Sequence, residues 1–450
     1  MTVKLKLFYR KGERKEMNIW IFNHYAIAPG GSGGTRHYDL ARELVKHNYN
    51  VTIFASSFSH QERKERYIPE KDVKWKEERY NGVRFVWIKT PEYRRNDWRR
   101  VANMLSYTVQ SYILGKKRSE KPDLIIGTLM HPLAAFVGCM LARKYKCTFY
   151  FEERDLWPQT LIDLGKVSSR NPVVWMLRKL EHFLYRNAKR IIVLFDKADR
   201  YVAQQGIDTG KVLYLPNGAD LDRYNTDTLL SKDLERVFAS LEGKLIVTYT
   251  GAHGIANHLD PVLDAAGILK NKDSRVHFIM VGDGPEKQRL VERARKEKLT
   301  NITLVPPVKK EDIPTILLRS DVGVISMQDA EIYKWGFSLN KMYDYMAASL
   351  PIVLLCQLDE TPIETSGAGL KVSTPQQMAE ALQFLALHRT ALKEMGGKGR
   401  AYVENNHAWR KLALRLMDVI EQDIPRRNVS QAQVQPVQTL QNRERKEYNV

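Results

Sequence analysis

Two apolar rhythms alternate along this chain: short continuous runs suited to strands, and every-third-or-fourth spacing suited to helices. In the first half, Asn18–Asn23 (NIWIFN) reads as a buried strand. A glycine-rich loop, a helix from about Thr35 to His47 and the strand Val51–Ala55 follow. Further on come strand Leu124–Gly127, a helix from Pro132 to Tyr145, and strands Thr148–Glu152, Arg190–Leu194 and Val212–Leu215. The second half repeats the grammar. Strand Leu245–Thr250 precedes a helix over Leu259–Lys270, and strand Val276–Val281 precedes a helix reaching Leu299. Strand Asn301–Val305, helix Glu311–Arg319, strand Val322–Ser326, helix Asn340–Ala348 and strand Ile352–Leu355 complete it. Strands alternating with helices imply parallel βαβ units covered on both faces.

The pattern predicts an α/β protein of two doubly wound, Rossmann-like domains facing each other across a cleft. The first is expected over residues 17–216, joined by a late helix, about 409–422, that crosses back onto it. The second is expected over 217–408. Residues 1–16 read as a flexible extension and 423–450, polar and without apolar periodicity, as a disordered tail. A chain of 450 residues is too long for one ordinary core, and 43% hydrophobic residues suffice for two. No run approaches the roughly 20 apolar residues of a membrane-spanning helix. The first residues lack the apolar stretch of a signal peptide. Cys139, Cys147 and Cys356 show no metal spacing and read as buried thiols, so a cytoplasmic location is expected.

In open α/β folds, ligands bind where strand carboxyl ends meet helix N-termini, so the loops there are the places to look for chemistry. Pro29–Arg36 (PGGSGGTR) lets backbone approach a ligand closely, with Gly33 and Gly34 as candidate amides and Thr35 as a candidate helix cap. A flexible turn fits the same residues. Gly282–Pro285 (GDGP) follows a strand directly; Gly282 and Asp283 are either donor contacts or a tight structural turn. Asn340–Asp344 (NKMYD) is the most informative segment. On a helix starting at Asn340, Lys341 lies beside free amides and Asp344 one turn on, suited to a diphosphate and to ribose hydroxyls. A solvated Lys/Asp pair is the plain alternative. Glu152–Pro158 (EERDLWP) gathers charge at a strand end, with Arg154 and Asp155 placed for a polar cleft wall. His131, before Pro132, suits a catalytic role or a helix cap.

Taken together, these segments resemble family-4 glycosyltransferases, nucleotide-sugar enzymes of the GT-B fold, and among them the branch building bacterial surface polysaccharides. The matching residues are Asn23–Ala26, Gly33–Tyr38, Arg154–Pro158, Pro216–Asp220, Val281–Pro285 and Asn340–Val353, within a match spanning about Met17 to Gln422. The resemblance implies a nucleotide-sugar donor gripped by the C-terminal domain and a glycan or lipid-linked acceptor on the N-terminal one. It also implies retention of anomeric configuration and no metal or other cofactor. Many members carry a Glu-x7-Glu motif; here Asp344 corresponds to its second glutamate and Gly336 to its first. The family's Arg/Lys pair is missing from the loop Gly251–His258. The diphosphate is then expected to meet Lys341, the amides of Gly33 and Gly34, and either Arg154 or His253, while Asp344 positions the ribose.

The formal net charge of +19 predicts attraction to an anionic membrane, to phosphorylated substrates or to nucleic acid. Nucleic acid is the weakest of the three, since no zinc-knuckle or RNP pattern occurs. Basic ends around the aromatic segment Val101–Leu114 fit a contact with anionic lipid, and Trp175–Arg190 is a second candidate. Two rival functions share the design: a nucleotide-sugar epimerase, and a sugar-nucleotide-binding protein without catalysis.

Overall fold

A computed structural model describes residues 16–425 except Ser32, Asn96, Lys166, Thr226, Asp227 and Ser274. Apart from Glu16 and residues 423–425, the expected N-terminal extension and C-terminal tail lie outside the described residues. The first sheet is built from β1 (Met17–Phe22), β2 (Tyr49–Ser56), β5 (Trp75–Tyr80), β6 (Val83–Ile88), β7 (Leu124–Leu129), β8 (Thr148–Glu153), β9 (Arg190–Val193) and β10 (Val212–Tyr214). A two-strand hairpin, β3 (Phe58–Ser59) and β4 (Lys64–Glu65), stands apart from it. The order is β10-β9-β8-β7-β1-β2-β6-β5, parallel except for the edge pair β5 and β6. The edge strand β5, WKEERY, is charged and largely exposed, which discourages pairing with another chain.

The second sheet contains β11 (Leu245–Thr250), β12 (Val276–Val281), β13 (Ile302–Val305), β14 (Val322–Ser326), β15 (Ile352–Leu355) and β16 (Gly369–Val372). Its order is β13-β12-β11-β14-β15-β16, and every pairing is parallel. The chain is thus an α/β protein with two Rossmann-like parallel-sheet layers. Both sheets aim their carboxyl ends at loops that carry the expected chemistry.

Helices α1 (Arg36–Val45), α2 (Trp98–Lys117) and α3 (Pro132–Tyr145) cover the first sheet. The late helix Trp409–Asp423 packs against α1, inserting Trp409, Leu412, Leu416 and Ile420 into the first core. Arg190 clamps its end, both Nε and Nη2 reaching the Asp423 carboxylate at 2.8 Å. The two layers also interlock elsewhere. The short 3-10 turn Glu331–Trp335, which leads into helix Asn340–Ala347, sends Ile332 and Trp335 into the first domain's core. Asn217 holds the same region, its N–H donating to Ser338 Oγ (2.9 Å) and its amide to Ser338 O (2.7 Å).

Cys139 and Cys356 are buried and Cys147 half-buried, all as free thiols. Burial pushes the Cys139 thiol up to about 11 and Cys147 to about 12, so both are protonated near neutrality. Among the described residues no helix is long and apolar enough to cross a membrane.

Candidate active site

β11 ends at Thr250 and the chain turns at once through Gly251–His258. Beside it, β12 ends at Val281 and turns through Gly282–Pro285. The two turns are tied by backbone: Gly251 N–H donates to Val281 O (3.0 Å), His253 N–H to Asp283 O (2.8 Å) and Glu286 N–H to His253 O (3.0 Å). They approach too closely for side chains. A Cβ on Gly282 would stand 1.9 Å from Gly251 O, and one on Gly284 2.4 Å from His253 O. The glycines of GDGP are therefore required by the packing of one turn on the other.

Lys341 reaches over this shelf from the first turn of helix Asn340–Ala347. Its Nζ donates to Tyr249 Oη and to Asn257 Oδ1, both at 2.8 Å, and lies 4.1 Å from the centre of the Tyr249 ring. Tyr249 in turn donates to Ala252 O at 2.6 Å, which leaves its oxygen free to accept from the lysine. A Cβ on Gly251 would meet the lysine at 3.3 Å. No carboxylate pairs with this ammonium among the described residues. Burial alone pulls its pKa down to about 7. His253 is buried beside the same loop with neither ring nitrogen hydrogen-bonded among the described residues. Burial, with Lys287 nearby, holds it at about 4, so it is a neutral imidazole near neutral pH.

Asp344 lies one turn beyond Lys341, and its Oδ1 accepts from Tyr224 Oη at 2.8 Å. Burial pushes its carboxyl up, opposed by the Tyr224 bond and by the charges of Arg223 and Lys310. The first domain's glycine loop closes over this helix. A Cβ on Gly34 would stand 3.1 Å from Asn340 Nδ2, while Lys310 Nζ donates to Gly33 O (3.1 Å) and Thr35 Oγ1 (2.8 Å). Gly33, Gly34, Asn340 and Lys341 therefore share one place, with Gly282, Asp283 and His253 on its floor. Thr35 corrects one expectation. It occupies the cap position of α1, but its hydroxyl donates to Asp39 Oδ2 and makes no bond to a helix amide.

The opposite wall belongs to the first domain. Glu152 is buried at the end of β8 and receives Arg36 Nε (2.8 Å), Thr128 Oγ1 (3.0 Å) and His37 Nε2. The Asn23 amide donates to His37 Nδ1 (2.8 Å) while its own oxygen accepts from Tyr25 N–H, which puts the imidazole proton on Nε2, toward Glu152. Burial keeps His37 below its ordinary pKa, so Arg36 is the full charge opposite Glu152 near neutrality. Arg36 also donates to Leu215 O and Pro216 O, fastening α1 to the segment that leaves the domain.

Arg154 and Asp155 follow directly on this wall. Arg154 acts electrostatically on Glu152 and has its buried Nε unpaired among the described residues; Asp155 acts on Tyr333 of the other domain. His131 caps α3, its Nδ1 accepting from Ala134 N–H at 3.1 Å, and burial holds it at about 4. Its ring sits edge-on to His24 at 5.0 Å. Sequence reasoning missed Glu152 as an organising group, Tyr249 and Asn257 as the seat of Lys341, and Lys310. The last sits in a Lys309–Lys310 pair that looks like solvated charge; no local signal distinguishes it. Among the described residues no group of three or more His, Cys, Asp or Glu is placed to hold a metal ion.

Comparison with known families adds the deciding observation. Residues 31–218 match the Glycosyl transferase 4-like domain, and residues 244–388 match Glycosyl transferases group 1. The chain belongs to the family-4 glycosyltransferases. It is 24% identical over 258 residues to the putative colanic acid biosynthesis glycosyl transferase WcaI of Escherichia coli (strain K12), covering 56% of this chain and 63% of that protein's length. It is 18% identical over 325 residues to the probable glycosyltransferase WbjE of Pseudomonas aeruginosa, covering 70% and 79% of the two chains. Sucrose-phosphate synthase from Thermosynechococcus elongatus shares the GT-B fold with a TM-score of 0.69 and 16% identity, over 90% of this chain and 99% of that one. Anabaena HepE, solved in complex with UDP-glucose, does so with a TM-score of 0.62 and 12% identity, over 90% and 100%.

This family-4 chain departs from the Glu-x7-Glu pattern at Gly336, and the structure supplies a reason. Gly336 has φ +94° and ψ −177°, a backbone conformation essentially confined to glycine. A Cβ there would fall 2.0 Å from Oδ1 of Asp196, which the first domain presses into the space. We predict that Gly336→Ala costs about 1–3 kcal/mol through its backbone alone, and more through displacing Asp196. Gly336→Glu should lower activity rather than restore a family feature. A double-mutant cycle with Asp196→Ala separates the two parts, since only the steric part is relieved. An unchanged melting temperature for Gly336→Ala would contradict this account.

Proposed function

We propose that this protein moves a hexosyl or N-acetylhexosaminyl group from a nucleotide-diphosphate sugar to a glycan or lipid-linked acceptor. We place the step in cytoplasmic assembly of a surface polysaccharide, with retention of configuration. The relative named for colanic acid biosynthesis and the neighbour solved with UDP-glucose support the substrate class. The observation that carries the reading is Lys341: an enclosed ammonium facing neutral partners on a shelf of glycine turns. A buried cation without a counter-charge is costly, and an arriving diphosphate offsets that cost.

In this reading Lys341 holds the diphosphate, with Asn340, His253, Gly282, Asp283 and the Gly33–Gly34 backbone around it. Asp344 offers the oxygen not used by Tyr224 to the ribose. Arg154, Asp155 and His131 belong to the acceptor side. In a front-face substitution the anomeric carbon–oxygen bond to the β-phosphate breaks as the acceptor hydroxyl bonds to the same face of that carbon. The hydroxyl proton passes to the departing phosphate oxygen, so no dedicated base is needed. Closing the glycine loop over Asn340 excludes water from the donor.

A panel of UDP-, GDP- and dTDP-sugars, each assayed for thermal stabilisation, tests the reading. A cognate donor at a hundredfold its Kd should stabilise by about 2.7 kcal/mol. No shift with any member would refute the donor site. Conversion of the donor sugar in acceptor-free buffer would favour an epimerase instead.

A further inference from the structure

Helix α2 is built inside out. Its buried positions are Asn103, Tyr107, Ser111 and Gly115, while Val101, Leu105, Val109 and Ile113 face outward with 54, 50, 56 and 42% exposure. A surface helix in water carries the opposite arrangement. The inversion is accommodated on the inner side. Asn103 donates to Thr90 Oγ1 (2.7 Å) and Pro91 O (2.8 Å), Tyr107 donates to Phe54 O (2.8 Å), and Gly115 leaves room for Leu141. Tyr107, within the Val101–Leu114 segment expected to meet lipid, is therefore a core residue. Trp98, 72% exposed, opens the outer stripe.

The same helix walls a groove of about 1270 Å³ against the β5–β6 edge, and Ile113 belongs to both stripe and groove. Seven cationic side chains line the groove against two carboxylates. Arg84 and Arg118 are engaged by Glu120 and Glu77. Lys71, Lys74 and Lys117 have no ion-pair partner among the described residues. α2 itself carries no Asp or Glu and four basic residues, Arg99, Arg100, Lys116 and Lys117. On the far side of α3, helix Pro172–Asn187 adds exposed Val173, Trp175 and Met176, with Lys179 over the Trp175 ring at 5.3 Å.

We propose that α2 and its groove dock the protein on an anionic phospholipid bilayer. The stripe enters the boundary between headgroups and acyl chains, and the groove lysines take lipid phosphates. Charge complementarity selects this occupant: cations alone would suit any polyanion, but an apolar stripe between them calls for a partner with an apolar layer beneath its phosphates. The proposal does not depend on the transferase reading.

The test is co-sedimentation of the full chain with phosphatidylcholine vesicles, with and without phosphatidylglycerol, at low and high salt. Binding is expected only with phosphatidylglycerol, falling with salt. Each of Lys71→Ala, Lys74→Ala and Lys117→Ala should weaken it about fivefold. Leu105→Gln with Val109→Gln, which leaves the charge unchanged, should weaken it at least about tenfold. These positions are exposed, so melting temperatures and any donor-induced shift should be unaltered; should the Gln pair melt lower, the Ser pair replaces it. No sedimentation with phosphatidylglycerol at low salt overturns the proposal. So does undiminished binding of the Gln pair, which would mean attraction by charge alone. A donor shift that persists while vesicle binding fails leaves the sugar-transfer reading standing and removes only this one.

Discussion

Lys341→Met is expected to raise the melting temperature of the free protein while abolishing donor-induced stabilisation and cutting turnover by about 10² to 10³. The two effects have one origin. The ammonium meets a phenol oxygen, an amide oxygen and an aromatic face, all neutral, and burial lowers its pKa to about 7. An unfolded lysine titrates well above that, so between about 7 and the ordinary lysine range the unfolded chain binds more protons. The free protein should therefore gain stability as pH rises through that window, and Lys341→Met should lose this gain. A bound diphosphate reverses the preference and lifts the pKa. Donor binding above about pH 7 must then take up a proton, and affinity should fall by up to about tenfold per pH unit until the bound-state pKa is passed. Below about 7 this group leaves affinity flat. Calorimetry in buffers of different ionisation enthalpy measures the uptake directly. A donor shift preserved in Lys341→Met, or binding without proton uptake at pH 8, would falsify the assignment of Lys341 to the diphosphate.

What could be anticipated about this site follows the range of the signal. Helix Asn340–Ala347 and the GDGP turn are local, set by residues adjacent in the chain, and both fall where periodicity and glycine placed them. The parallel sheets follow from alternation of buried runs and helical spacing. What the pattern lacked was direction. An apolar stripe on α2 is visible as periodicity, but which face meets solvent depends on Thr90, Phe54 and Leu141, distant in sequence. The same holds for Lys310, which acts on Gly33 and Thr35 across the cleft, and for Trp335, which leaves its own domain for the core of the other. The missing first glutamate reads as a gap in a motif. In three dimensions it is a contact, since Asp196 occupies the volume that a side chain on Gly336 would need.

The largest loss of stability should come from Glu152→Ala, about 3–5 kcal/mol, because it strands the buried Arg36 guanidinium without a counter-charge. Burial by itself would push the Glu152 carboxyl up; His37 and Arg36 outweigh it and hold the group well below its ordinary range. A carboxylate with a depressed folded pKa contributes stability that is fully present above the unfolded value of about 4 and is lost as pH falls toward the folded one. The wild type should therefore show an acid-dependent loss of stability below about pH 4 that the variant lacks. Glu152→Gln keeps an acceptor for Arg36 and should cost less than Glu152→Ala. The damage should also reach function, because Arg36 ties the start of α1 to Leu215 and Pro216 and so seats the glycine loop over Asn340. Urea unfolding at several pH values, with donor titrations on the folded variant, reads both effects. If Glu152→Ala unfolds within about 1 kcal/mol of wild type, the wall around Glu152 is not the anchor of the first domain that its geometry indicates.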